Sequence, residues 1–323
     1  MKRRDLLASG LLAAPPLLSR DARAAVGWPV PRLAMIVSAA AGGSIDALIR
    51  PLAEGLQGVL GRPVVVDNRG GSGGMLAADY VAKAQPDGGV FLCGGIPHAI
   101  IPAIYPRVPY DTERDLTPVT RFAQIAHVII ASPKQPARNL RDFVAWAKAK
   151  GGANYGTGGA GTVHHLGAEQ FAAATGVPLT AVHYRGSGPA VTDLMAGSID
   201  VMFETMPSAL SQIRADNVIP LAVCAARRSP TLPAVPTVAE AGFAPLELTT
   251  WYGLFGPKNL PGDLATGLSD AVGEAFRSER LRATYAGLGA EVVTETPAAF
   301  AAFFGAEIGR WGLIARRVGA RAE

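Results

Sequence analysis

The chain has 323 residues, room for about two domains of roughly 150 residues each; at 49% hydrophobic, with mean hydropathy +0.23, it can bury full cores, which excludes a disordered chain. Its formal charge of +4 has a local source: residues 1–24 carry Lys2, Arg3, Arg4, Arg20 and Arg23 against Asp5 and Asp21, and without them 25 basic residues face 24 acidic ones. A body so close to neutral, with no clustered Lys/Arg stripe, excludes a nucleic-acid partner.

The first element belongs to export rather than to the fold. Lys2-Arg3-Arg4 is followed by an apolar run from Leu6 to Leu18 and then by Ala22-Arg23-Ala24, the order of a secretory signal with a small-residue cleavage site. We expect a signal peptide over 1–24, cleaved after Ala24 so that the mature chain begins at Ala25. The run is well short of the ~20 residues of a membrane span. Adjacent Arg3-Arg4 before Asp5-Leu6-Leu7 also resembles a twin-arginine signal, the alternative being an ordinary signal with two basic residues. No later segment offers 18 uninterrupted apolar residues, so the mature protein is expected to be soluble and periplasmic. Cys93 and Cys224 each close an apolar, strand-like run, which predicts two separate buried thiols in different lobes.

Along the mature chain, short apolar runs alternate with helical patterns. Leu33–Val37 reads as a strand, Ser44–Leu60 as a helix, Val64–Val66 as a strand, Met75–Ala84 as a helix and Val90–Cys93 as a third strand. The pattern then repeats: strand Val128–Ile130, helix Leu140–Lys150, strand Ala153–Tyr155, helix His164–Ala174, strand Thr180–Val182, helix Ala190–Ala196, strand Ile199–Phe203, helix Ser208–Ala215 and strand Leu221–Cys224. Such alternation predicts parallel sheets covered by helices, in two α/β units. Extended crossings near Phe122–Ala126 and Leu248–Trp251 would join them, and helices over 263–277, 279–288 and 297–317 would rejoin the first unit.

The chemistry lies in two turns. The first strand runs into Ser38-Ala39-Ala40-Ala41-Gly42-Gly43-Ser44-Ile45-Asp46. A small-residue turn opening a helix exposes free N–H groups at the positive end of the helix dipole, which binds an anion without a cationic side chain. A tight strand-to-helix turn capped by Ser44 is the plainer alternative. The second unit repeats the arrangement with Thr157-Gly158-Gly159-Ala160-Gly161-Thr162 before the His164 helix. One such turn is weak evidence; two, at the ends of strands in two units, describe a cleft that closes on one anion.

Two competing motifs are present. Gly70-Gly71-Ser72-Gly73-Gly74 matches G-x-S-x-G, the nucleophile elbow of hydrolases, but Asp67–Gly70 separates Ser72 from the strand where an elbow turns at once. His164, His165 and Glu169 offer metal-ligand chemistry on one helix, with no further ligand at suitable spacing nearby. A secreted hydrolase and a metal-binding protein therefore stand as alternatives to a receptor.

Taken together the motifs resemble the Bug-type periplasmic receptors of tripartite tricarboxylate transporters, over essentially all of residues 28–323. The resemblance is carried by Ala40-Ala41-Gly42-Gly43-Ser44 with Asp46, Pro63-Val64-Val65-Val66 with Asn68-Arg69, Pro86-Asp87-Gly88, and Tyr105-Pro106 with Pro109-Tyr110-Asp111. Asn154-Tyr155-Gly156, His164-His165-Leu166, Tyr184 with Gly186-Ser187, Asp193-Leu194, Pro233 with Val235–Glu240, and Trp251 complete it.

The resemblance implies a type II periplasmic-binding-protein fold: two doubly wound α/β lobes with a two-strand hinge, lobe I being 25–124 plus 250–323 and lobe II 125–249. It implies a monomer without cofactor or catalytic role, binding a small organic carboxylate for membrane subunits of a tripartite system. By position the ligand would meet Ser38, Ala39, Ala40, Ala41, Gly42, Gly43, Ser44 and Asp46 in lobe I, and Thr157, Gly158, Gly161, Thr162 and His164 in lobe II. Glu204 and Thr205 would line the cleft edge, with Glu204 where the family usually has Asp. Other departures are Ser38-Ala39 for Pro-Phe, which removes an aromatic wall, Ile45 for Thr, and His183 and Arg185 for Pro and Lys; Arg185 is a candidate grip for a second carboxylate, against a solvated surface pair.

Overall fold

The computed structural model describes residues 28–39, 41, 44–159, 161–184, 186–317 and 319–321. The signal region with Arg3-Arg4 and the cleavage site between Ala24 and Ala25 lie outside the described residues, as do Ala40, Gly42, Gly43 and Arg185.

Two sheets share one long strand. In the first, β1 (Leu33–Val37) is buried between β2 (Val64–Asn68) and β3 (Val90–Gly95), both parallel to it. Parallel neighbours need crossovers, and α1 (Ser44–Leu60) and α2 (Met75–Ala82) supply them. α3 (Pro97–Ile104) leads to β4, a strand of 16 residues from Leu116 to Ala131.

The second sheet is built on the end of β4. α4 (Leu140–Lys150), β5 (Ala153–Thr157), α5 (Val163–Thr175), β6 (Leu179–His183), α6 (Ser187–Ala196), β7 (Val201–Thr205), α7 (Met206–Arg214) and β8 (Ile219–Cys224) follow in order. β5 pairs parallel with β6 and β7, while β7 and β8 both pair antiparallel with residues 127–131 of β4.

The chain then returns. β9 (Thr249–Pro257) inserts antiparallel between β3 and β4, pairing with residues 116–126 of the latter. β4 thus changes partners between Ala126 and His127, where His127 N donates to Leu248 O (3.0 Å) and Leu248 N to Cys224 O (3.0 Å). Two antiparallel strands carry the polypeptide between the lobes. α8 (Gly262–Ala275), α9 (Glu279–Gly287), the short β10 (Glu291–Val292) and α10 (Pro297–Arg317) complete the first lobe, with α10 against α3 and β4.

The sequence reading and the structure differ most at β4. The separate strand and crossing are one element, because polar residues inside it are satisfied by the returning chain. Arg121 donates to both Glu295 oxygens (3.2 and 2.6 Å), and Gln124 donates to Glu291 (2.7 Å). α3 did not stand out, since Pro102 falls inside it. α10 is 21 residues long and apolar enough to cross a membrane, but it buries Phe300, Phe304 and Trp311 in the first lobe's core. Glu307 within it accepts from the indoles of Trp251 (2.8 Å) and Trp311 (2.9 Å).

Candidate ligand-binding cleft

The first loop follows the C-terminal end of β1. Val37 O accepts from Arg69 N (2.9 Å), and Ser38 N donates to Cys93 O (3.2 Å), so neighbouring strands fix its entry. Ser38 and Ala39 are half-buried and Ala41 is exposed. Asp46 is 4% exposed in the first turn of α1, where a carboxylate favours the helix dipole. Its oxygens accept from Arg50 Nε (3.0 Å) and from Asn68 Nδ2 (3.0 Å), and Asn68 also donates to Ala39 O (3.2 Å). The Asp46 side chain is therefore engaged in building the loop. Burial pushes the Tyr252 phenol on β9 up to about 12, with the Ser44 hydroxyl acting against that rise.

The second loop follows β5 and closes on itself. Thr157, fully buried, donates to Gly159 O (2.8 Å), and its hydroxyl meets that of Thr162 (2.9 Å). Thr162 is the N-cap of α5, accepting from His165 N (3.4 Å). Gly161 N donates to His165 Nδ1 (2.9 Å), as the helix's own first turn satisfies the loop. With His165 N capped and Leu166 N bonded to Thr162 O (2.9 Å), the N–H groups of Val163 and His164 precede the helical ladder and are the donors available to an anion. Gly161 has φ +74°, and a Cβ there would stand 3.0 Å from Ile104 Cδ1 on α3. The second lobe's loop thus rests on the first lobe.

Beside the start of α5 lies a buried polar group. Glu204, 1% exposed at the end of β7, accepts through Oε1 from Thr205 N (2.7 Å) and Thr205 Oγ1 (2.9 Å). The same oxygen is 3.5 Å from His164 Nε2, an ion-pair distance without hydrogen-bond geometry. Burial pushes the Glu204 carboxyl up, but His164 and the Thr205 donors outweigh it and hold it below its ordinary value. His127 on β4 is fully buried, 5.4 Å from His164 between ring centroids. Its Nδ1 meets Phe203 O (3.1 Å) and its Nε2 meets Thr250 Oγ1 (2.8 Å) on β9. Burial lowers it to about 4, and the neighbouring His164 adds to that.

The structure therefore gathers Thr157, Gly158, Gly161, Thr162, His164, Glu204 and Thr205 at one end of the second sheet, and Ser38, Ala39, Ala41, Ser44 and Asp46 around the turn after β1. Sequence reasoning missed His127, Thr250, Asn68, Arg50 and Tyr252. A lone histidine inside the apolar stretch from Phe122 to Ala131 was the available signal.

The competing motifs do not assemble. Ser72 adopts a left-handed turn (φ 47°), and no hydrogen bond joins it to a histidine among the described residues. His98, the buried histidine beside that turn, meets Gly95 through Nδ1 (3.1 Å to its carbonyl). In the helix at His164, His165 takes Gly161 and Glu169 Oε1 takes the Tyr155 hydroxyl (2.6 Å), so the would-be metal ligands face different partners. No group of three or more potential metal ligands occurs among the described residues. His183 is exposed, its ring edge-on to that of His165 at 4.9 Å.

Comparison with known proteins places the chain. The sequence profile described as "Tripartite tricarboxylate transporter family receptor" matches residues 48–320. Protein BugT of Bordetella pertussis is 35% identical over 297 residues, covering 91% of each chain. Among solved structures, a Rhodopseudomonas palustris protein with adipate superposes at TM-score 0.82 with 31% identity, covering 91% of this chain and 99% of that one. MatC from Rhodopseudomonas palustris with bound malate superposes at 0.76 with 29% identity, covering 88% and 98%. Two sheets bridged by paired strands are thus the frame of a known receptor fold, and the chain belongs to the tripartite tricarboxylate transporter receptor family.

Proposed function

We propose that this protein is a periplasmic receptor that closes its two lobes, 25–124 plus 250–323 and 125–249, on a small organic carboxylate. What supports the reading is that two helices, α1 and α5, each follow a parallel strand in their own sheet after a glycine-rich stretch of sequence. An anion that accepts from both loops contacts both lobes, and such a ligand shifts the open–closed balance by its differential affinity for the closed state. The relatives with bound adipate and malate support the carboxylate class. The residues assigned to the ligand are Ser38 to Ser44, Thr157 to His164, Glu204, Thr205 and Arg185. Asp46 acts through the loop it holds.

The protein works as a monomer without cofactor, passes its ligand to membrane subunits of a tripartite system, and catalyses no reaction. Export removes residues 1–24, with Arg3-Arg4 favouring the twin-arginine route over an ordinary secretory signal. A thermal-shift screen of mono-, di- and tricarboxylates and aromatic acids on the mature protein tests the reading. A ligand at 100 times its Kd stabilises by about 2.7 kcal/mol, a rise of several degrees in Tm. If no carboxylate raises Tm while uncharged analogues do, the reading is wrong.

A further inference from the structure

The buried polar group beside α5 holds an unmet acceptor. Glu204 Oε2 is buried and has no hydrogen-bond partner among the described residues, although its sister Oε1 has two donors from Thr205. Both ring nitrogens of His164, on the first turn of α5, are likewise without a hydrogen-bond partner. Buried polar atoms in folded proteins are nearly always satisfied, and an orphaned one costs its full desolvation penalty. The Glu204 carboxylate is held below its ordinary pKa by His164 and Thr205, so at neutral pH it is an acceptor only. It points at the start of α5, since Oε1 is 3.5 Å from the side chain of His164.

The charges constrain what can meet it. A ligand carboxylate seated on the main-chain N–H groups of Val163 and His164 lies beside an ionised glutamate. A second ligand carboxylate placed against Glu204 would be repelled, and a bare methylene would leave Oε2 unpaired. What fits is a donor, carried on the carbon next to the bound carboxylate. Resting on the reading of the cleft as a carboxylate site, we propose that Glu204 Oε2 accepts a hydrogen bond from the ligand, so that the receptor selects carboxylates bearing a hydroxyl or ammonium group at that carbon over their unsubstituted counterparts. Glu204 is then a specificity-determining residue. His164 steers it through the contact with Oε1, leaving Oε2 turned to the ligand.

Matched acids test this by calorimetry on the mature protein: succinate, malate and aspartate; glutarate, 2-hydroxyglutarate and glutamate; propionate, lactate and alanine. We expect one substituted acid to bind at least tenfold more tightly than its unsubstituted partner, the hydroxy and amino members telling which donor is used. Glu204→Gln, nearly equal in shape, should reduce that preference to under threefold, whatever the change in affinity for the unsubstituted acid. The wild-type comparison stands even if the variant does not fold. Unsubstituted acids binding within threefold of both substituted partners in each series would overturn the proposal, as water rather than ligand would then satisfy Oε2. So would a preference that survives in a folded Glu204→Gln, or a tight ligand from the wider screen with no donor beside its carboxylate. Binding of no carboxylate at all would instead remove the underlying reading, and the proposal with it.

Discussion

At the scale of single residues, two buried histidines set a pH dependence. His98 and His127 are fully buried, and burial lowers each from 6.5 to about 4. Between those values the unfolded chain takes up protons that the folded chain refuses, so stability rises with pH across the window and is lost as pH falls through it. At about 1.4 kcal/mol per pKa unit, each histidine contributes up to roughly 3 kcal/mol to that loss. We expect thermal melts to fall steadily from pH 6.5 to 4 and then flatten with respect to these two groups. Replacing His127 by Gln should remove its share of the slope, and an unchanged slope would show that His127 is protonated in the native protein. Histidines of this kind are hard to read from a sequence. His164 and His165 stood out because they follow a glycine-rich turn, whereas His127 lies in a strand and finds Phe203 and Thr250 only through the fold.

At the scale of elements, the loop before α5 has the sharpest consequences. Thr162→Ala removes the cap on His165 N and the hydroxyl contacts with Gly159 and Thr157, at a cost of about 1 kcal/mol. Gly161→Val forces a β-branched residue to φ +74° and pushes its side chain at Ile104. Calorimetry with the best ligand from the carboxylate screen should show Thr162→Ala binding moderately more weakly and Gly161→Val not at all. Wild-type affinity in a folded Gly161→Val would place the ligand elsewhere.

Elements with clean apolar patterns were legible: β1, α1, α4 and α10 have the bounds their sequences predict. The misses have local causes. β7 starts two residues later than its apolar run because Asp200 turns away to take Asn154 N (2.7 Å) and Lys150 (3.1 Å). It ends on Glu204 and Thr205, whose polar side chains concealed the last of the strand. The same polarity that hid the strand end is what the proposed site draws on. The two turns proposed to hold the anion could be read because small residues leave a mark in one dimension, while the buried polar group beside α5 is assembled from β4, β7, β9 and α5.

At the scale of the whole molecule, the two thiols report on the lobes. Cys93 lies on β3 in the first sheet and Cys224 on β8 in the second; both are free and fully buried, and burial raises both thiols. A thiol reagent at neutral pH should find almost no reactive cysteine in the native protein and two per chain once it is denatured without reductant. Finding none after denaturation would mean a bond across the lobes, which would lock the closure that binding requires.

The return of β9 also decides the order in which the protein can be finished. The strands of the second sheet come from one continuous stretch, residues 127–224, and can pair as soon as that stretch is available. The first sheet cannot, because β3 and the early half of β4 have no contact with each other until β9 slides between them, with Leu92 waiting for Phe255 and Leu116 for Pro257. Such distant pairings carry a large loop-closure entropy and form late. A chain emerging from its amino terminus therefore holds a completed second lobe beside a first lobe with two open strand edges, and unpaired edges are what neighbouring chains aggregate on. Nascent protein halted before residue 249 should be the species that chaperones hold.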